Sequence, residues 1–299
     1  MIKLSLPTDT HGKSLESCIS EISESKEDYK LRLNNAKSKL EAQSILYFDR
    51  ASSFNLHYFE SSKRAKIDAL VPYCGNEVTK GDLVKLYKDI FSNQAKNSRA
   101  IYDRLKLSSN GRCCICLIGS AETLDHYLPK ARYPAFSVDP QNLIPACTVC
   151  NKGKGASLLE TKKEHVLHPY FSSNNFYDDL WLKAEVIEEI PVRIKFFIEP
   201  PADWSVDDIT LLETHINSFD IPDKFSLYIS SHLTTAIDDV NLARNKNKRS
   251  IEDVKGDFKF KSDSRANKNS PVTAMFKALS ESTWFCSEPR RHGDDGGLI

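Results

Sequence analysis

Five of the eight cysteines fall into two tight groups, Cys113-Cys114-Ile115-Cys116 and Cys147-Thr148-Val149-Cys150. A Cys-x-x-Cys turn brings two thiolates within reach of one ion. Two such turns complete the closed four-sulfur tetrahedron typical of structural zinc. The 30 residues between Cys116 and Cys147 exceed the spacing of a simple zinc ribbon, so the two knuckles frame an insert. Cys113, Cys116, Cys147 and Cys150 are the expected ligands. Cys114 lies too close in sequence to Cys116 to share an ordinary knuckle and is expected to pack inside. Cys18, Cys74 and Cys286 are scattered and read as small buried thiols.

The insert carries Leu124-Asp125-His126-Tyr127-Leu128-Pro129-Lys130, then Gln141-Asn142-Leu143-Ile144-Pro145-Ala146-Cys147. Asn151-Lys152-Gly153-Lys154-Gly155 follows the second knuckle. On these residues the segment 111–155 resembles the HNH endonucleases, the ββα-metal nucleases, in their zinc-stapled form. The family pattern runs Cys-x-x-Cys, Asp-His-x-x-Pro, Asn-Leu, Cys-x-x-Cys, then His or Asn and Lys-Gly. Every piece occurs here in order.

Hydrolysis of a phosphodiester needs an activated water and a cation that neutralises charge on the phosphate and leaving oxygen. A neutral imidazole is a suitable general base at cellular pH, which the resemblance assigns to His126. Mg²⁺ or Mn²⁺ takes hard oxygen donors; Asp125 offers a carboxylate and Asn151 an amide oxygen. The resemblance further implies that Asn142 fixes the loop that orients the base. Asn151 stands where the family name has its last His, a variant that implies a weaker catalytic ion site. Neighbouring residues of a regular strand point to opposite faces, so Asp125 and His126 can share a site only near a strand end. Lys130 and Arg132 beside this loop, and Lys152 and Lys154 at the start of the following helix, are candidate phosphate contacts.

Around this core the texture differs. Ser14 to about Phe48 is charged and free of Gly and Pro, with a thin stripe of Leu15, Ile19, Ile22, Tyr29, Leu33 and Leu40, which predicts one long amphipathic helix. Lys80–Phe91 predicts a helix with Leu83, Leu86, Tyr87 and Ile90 inward and Thr79 as N-cap, and a third covers 97–107. Downstream, Leu182–Ile187 and Val192–Ile198 predict a hairpin around Pro191, followed by helices over Val206–Ser218 and Lys224–Asn245. The tail 294–297 is polar and expected to fray. These readings predict a mostly helical α+β protein: a helical N-terminal region (1–108), a zinc-stapled HNH core (109–170) and a C-terminal region of hairpin plus helices (171–299). His57, His215 and His232 read as structural; the roles of His165 and His168 stay open.

Forty-one Lys and Arg balance 41 Asp and Glu, so no global field draws the chain to nucleic acid. Charge is nonetheless segregated. Residues 93–165 hold 11 basic and 6 acidic groups, 177–222 hold 3 and 11, and 241–268 hold 9 and 4. With 40% hydrophobic residues the chain can bury a core, which excludes wholesale disorder. It has no apolar run long enough to span a membrane, and Met1–Pro7 turns polar too early for a signal peptide, so a cytoplasmic location is expected. The resulting expectation is a metal-dependent HNH endonuclease acting on DNA. The alternative is a zinc-stapled binding or assembly subunit without cleavage. The overall arrangement is also loosely similar to HNH proteins of Septu-type phage-defence operons, which implies an ATPase partner.

Overall fold

In the computed structural model, residues 1–62, 66–71, 73–74, 77–154 and 159–287 are described. They form a mostly helical α+β fold containing two two-stranded antiparallel sheets. The chain divides into two compact units, Ile2–Ser172 and Ser173–Ile299 together with Met1. No described helix is long and apolar enough to cross a membrane.

In the first unit, helix α1 (His11–Ser20) starts on Thr10, whose hydroxyl accepts from the Lys13 N–H. Helix α2 (Glu27–Ser52) buries Tyr29, Leu33, Ala36, Leu40, Ser44, Tyr47 and Ala51, one stripe recurring every three or four residues. The single helix expected over 14–48 is therefore two helices, parted by a 3₁₀ turn at Glu24–Lys26. The local chemistry explains the break. Glu21 turns its carboxylate away to accept from the N–H groups of Asn97 (2.9 Å) and Ser98 (2.6 Å), and the Ser23 and Ser25 hydroxyls bond each other. Serines that bond locally compete with helical hydrogen bonds. Glu21 instead places negative charge at the start of helix α4 (Arg99–Leu107), where the dipole favours it.

Helix α3 (Lys80–Lys85) opens with the expected Thr79 cap, closed into a capping box by Asp82, and continues as a π turn over Leu86–Phe91. Leu83, Leu86, Tyr87 and Ile90 are buried as the pattern requires. These helices share one apolar core with Leu124, Val138 and Leu143 of the knuckle segment. Strand β1 (Thr123–His126) pairs with β2 (Leu143–Ala146), Asp125 opposite Ile144 and His126 opposite Leu143, and α5 (Thr148–Lys154) follows directly. The order is β–β–α.

The second unit starts with the short helix α6 (Asn175–Asp178) and a hairpin of β3 (Leu182–Ile187) and β4 (Arg193–Ile198). Val192, Ile194 and Phe196 face inward, as their alternation predicts. Helix α7 spans Val206–Ser218 as expected. The helix expected over 224–245 is broken at Ile229 into α8 (Ile221–Tyr228) and α9 (Ser230–Asn241), ending in a π turn over Leu242–Lys246. Three further helices have no counterpart in the sequence pattern: α10 (Ile251–Asp263), α11 (Pro271–Glu281) and α12 (Thr283–Ser287). Helix α10 buries only Val254, Phe258 and Ser262, too sparse a stripe to read from sequence, and is held by packing such as Phe258 against Phe276. Asn269 clamps the hairpin: its Oδ1 accepts from Trp181 and Leu182 N–H and its Nδ2 donates to the Asp179 carbonyl. The tail at 294–297 lies outside the described residues.

Candidate active site and four-sulfur centre

The sulfurs of Cys113, Cys116, Cys147 and Cys150 lie within 4.8 Å of one another, and all four residues are buried. Cys116 Sγ and Cys147 Sγ are 3.9 Å apart. That is close to the ~3.8 Å edge of a tetrahedron built on Zn–S bonds of ~2.3 Å, and far too long for a disulfide of ~2.05 Å. The closed, dry, all-sulfur donor set could therefore bind zinc. Two local features allow the closure. Leu117 takes a positive φ of 69° at the turn of the first knuckle. At Gly119 a Cβ would fall 2.7 Å from Cys147 Cβ and 2.8 Å from its sulfur, so only glycine lets the knuckles meet.

Three of the four thiols bond one another and shift one another's protonation. Hydrogen bonds from Cys113 and Cys150, helped by backbone N–H groups of Gly119 and Ile118, draw the Cys116 thiol down to about 2. Hydrogen bonding to Cys116, with burial, pushes Cys113 up to about 12, and Cys150 is raised by its bonds to the same two sulfurs. A cation would be the natural counter-charge to this cluster. Cys114 is buried outside it, and burial pushes its thiol up to about 12. Cys18, Cys74 and Cys286 are buried as well.

Asp125 and His126 end β1, and both open onto a cavity of about 620 Å³ that Pro129, Lys130 and Asn151 also line. The strand end thus brings the two adjacent side chains to one site. Each is only 5% exposed, so solvent enters through the cavity rather than around the side chains. His126 Nε2 lies 2.9 Å from the Ser137 carbonyl. A carbonyl only accepts, so Nε2 carries the proton and Nδ1 is the basic nitrogen of the neutral ring. Tyr87 packs edge-on against this imidazole, centroids 4.5 Å apart. Asn151 donates from Nδ2 to Thr123 Oγ1 (2.9 Å), which leaves its Oδ1 as the oxygen it can offer to a ligand.

Asn142 is fully buried beneath the loop. Its Oδ1 accepts from the Leu128 N–H (2.7 Å) and the Tyr47 hydroxyl (3.1 Å), while Nδ2 donates to the carbonyls of Leu128 and Phe136. Its backbone carbonyl also accepts from Tyr127 N–H. The side chain thereby ties both ends of the segment that holds Ser137 against His126. Tyr47 also meets His168 Nε2 at 3.1 Å, and His168 Nδ1 accepts from the Tyr170 N–H. His165 pairs with His57 at 3.2 Å. Neither His165 nor His168 lines the cavity; His215 is buried in α7 and His232 half-buried in α9.

Among the basic residues singled out from sequence, Lys130 lines the cavity, with its ammonium 4.8 Å from the Tyr87 ring centre. Burial lowers its pKa, as does the nearby Lys88 charge, while Asp125 acts in the opposite sense. Arg132 is instead tied to Ser62, and Lys152 is exposed on α5; neither is among the cavity-lining residues. The side chain of Lys154 lies outside the described residues. Sequence reasoning missed Tyr87, Lys85, Lys88 and Asp89 on the α3 segment, and Tyr47 on α2. Their spacing showed only helix faces, because no local pattern links residues 47 or 85–89 to residues 125–151.

No family model matches the chain, and no solved structure matches it. It is 34% identical to Protein ea31 of Escherichia phage lambda over 162 residues, 54% of this chain and 55% of that protein. It is 36% identical to Septu protein PtuB of Bacillus thuringiensis over 66 residues, 20% of this chain and 25% of that protein. The chain thus spans about half the length of the first of these relatives and a quarter of the second.

Proposed function

We propose that this protein is a metal-dependent HNH endonuclease hydrolysing phosphodiester bonds in DNA, with zinc held by the four cysteines as a structural staple. The observation that carries the reading is the meeting of Asp125, His126 and Asn151 on one cavity, with the His126 tautomer set by Ser137. The Asp125 carboxylate and Asn151 Oδ1 are hard oxygen donors and fit a catalytic Mg²⁺ or Mn²⁺. Such an ion would neutralise charge on the phosphate and the departing oxygen.

The protein's own residues would do the rest. His126 Nδ1 takes a proton from water as the water oxygen bonds to phosphorus. The Ser137 carbonyl stabilises the imidazolium through Nε2–H. One ester P–O bond breaks, the departing alkoxide takes a proton from solvent water, and His126 returns its proton to solvent. Asn142 acts beneath the loop, holding the geometry rather than touching substrate. Lys130 supplies a phosphate contact from the cavity wall, and Arg132 beside the loop with Lys152 and Lys154 on the following helix supply outlying ones. The similarity to Septu protein PtuB supports a role in Septu-type defence; control by an ATPase partner and a cytoplasmic location extend that reading.

The test is cleavage of plasmid DNA with added Mg²⁺ or Mn²⁺. His126→Ala should lose ~10²–10⁴ in rate while binding DNA as the wild type does. Asp125→Ala and Asn151→Ala should lose ion-supported cleavage with zinc content unchanged. Undiminished cutting by all three variants would refute the assigned site.

A further inference from the structure

Lys85 and Lys88 line the same cavity as Asp125 and His126, though they belong to a helix about 40 residues upstream. Their placement follows from Tyr87. Its ring lies against His126, which fixes this turn at the edge of the cavity that Lys85 and Lys88 line. The π turn over Leu86–Phe91 buries Leu86, Tyr87, Ile90 and Phe91 while leaving Lys88 and Asp89 exposed, and Lys85 just before it is exposed too. Such turns recur at functional positions.

The charges at this wall are unbalanced. The cavity is lined by Lys80, Lys85, Lys88 and Lys130 against Asp89 and Asp125. Among the described residues neither Lys85 nor Lys88 has a carboxylate within salt-bridge distance. Lys88 is close enough to Lys130 to disfavour its protonation. Holding ammonium groups together around one cavity costs free energy that an anion would offset, and the low-dielectric walls focus their field. Side chains three apart on a helix lie about 5–6 Å apart at Cβ. Phosphates of one DNA strand advance ~3.4 Å along the axis per nucleotide, so two flexible lysines can reach successive phosphates.

We propose that Lys85 and Lys88 form, with Lys130, the clamp that grips the substrate's backbone phosphates beside the phosphodiester presented to His126. The clamp rests on the nuclease reading for the identity of its anion, a nucleic-acid strand. It makes α3 part of the substrate site rather than scaffold alone.

The experiment measures binding of a short fluorescein-labelled DNA duplex over a salt series, without added divalent ion, and separately steady-state cleavage with Mg²⁺ or Mn²⁺. Lys85→Ala/Lys88→Ala should weaken binding and reduce the log–log salt slope by roughly 0.9 for each phosphate that is no longer neutralised. In cleavage, KM should rise while kcat stays near wild type. The control Lys26→Ala/Lys39→Ala removes the same charge from exposed positions near and on α2 and should change neither. If wild type binds and cuts and the clamp variant does the same unchanged, the clamp is overturned and the nuclease reading stands. If binding depends on the two lysines but nothing is cut, the clamp stands and the nuclease reading falls. Equal losses in the control pair, or tighter lysine-dependent binding of polyglutamate than of DNA, would overturn the clamp in favour of bulk charge or an acidic peptide. Absence of any DNA binding by wild type would overturn it too.

Discussion

The four-sulfur centre and the cavity at Asp125 and His126 share a hairpin, yet they are built by different means. The sulfurs come from two short turns, each complete within four residues, and they enclose their site. The cavity is open, and its walls come from β1, the loop after it, α5 and the distant α3 segment. Its floor is held by Asn142 and Tyr47, 95 residues apart. A closed site can be specified by local spacing, because an ion bound there would supply the cohesion. An open one must borrow rigidity from tertiary packing, since a substrate has to enter and leave it.

The largest expected effect breaks the closed site. Structural zinc contributes apparent binding free energies on the order of 10–16 kcal/mol in small domains. Cys147→Ser should therefore lose most of the metal and unfold the knuckle segment, read as zinc per chain by elemental analysis and as a lowered Tm. Cys114→Ser, outside the sulfur cluster, should keep its zinc. Wild type purified with well under half a zinc per chain would remove the staple altogether, and zinc loss in Cys114→Ser would reassign a ligand.

The same contrast explains which features are legible in the sequence. The four-cysteine cluster, the β–β–α order, the hairpin at 182–198 and helix α7 each declare themselves within a few residues, through spacing, alternation or a cap. The cavity's second wall does not. Lys85 and Lys88 look like the solvated side of an amphipathic helix until Tyr87 is found against His126. The break between α1 and α2 is hidden for a similar reason: Glu21 leaves helical geometry to cap a helix some 75 residues away. Helix α10 carries little stripe of its own, whereas α11 is buried on most sides and so shows no single apolar face. Long-range partners decide these features, and a single sequence does not display them.

A middle-sized effect sharpens the comparison from the cavity's side. Tyr47→Phe deletes one hydroxyl more than 75 residues before His126, and should leave the four-sulfur centre intact. The hydroxyl donates to Asn142 Oδ1 and accepts from His168 Nε2–H, so its removal deletes two buried hydrogen bonds. Each such bond contributes about 0.5–1.5 kcal/mol net. Thermal denaturation should show that loss with zinc content unchanged. Cleavage should fall more than binding, because the loop that sets the His126 tautomer is loosened. A variant with wild-type stability and rate would detach Tyr47 from the site.

The smallest effect uses pH to load the two regions unequally. His11 on α1 is buried, lies 3.8 Å from Asp139 at the base of the Asn142 turn, and meets the Leu40 carbonyl through Nδ1. Burial lowers its pKa, and the charges of Asp139 and Glu41 only partly oppose that. The folded ring is thus neutral where an unfolded histidine, near pKa ~6.5, is half protonated. Its contribution is complete above that pH and is lost as the pH falls from there toward the lower folded value. Mild acid should therefore weaken the floor under the cavity while His11 itself touches neither the cavity nor the sulfurs. Wild-type Tm should drop from neutrality to mildly acidic pH, and His11→Gln, which does not titrate, should flatten that part of the profile. A parallel acid profile in the two proteins would place the sensitivity elsewhere, in the thiolates or in half-buried carboxylates such as Asp82, whose pKa is held down by Arg32 and Thr79 against the opposing effect of burial.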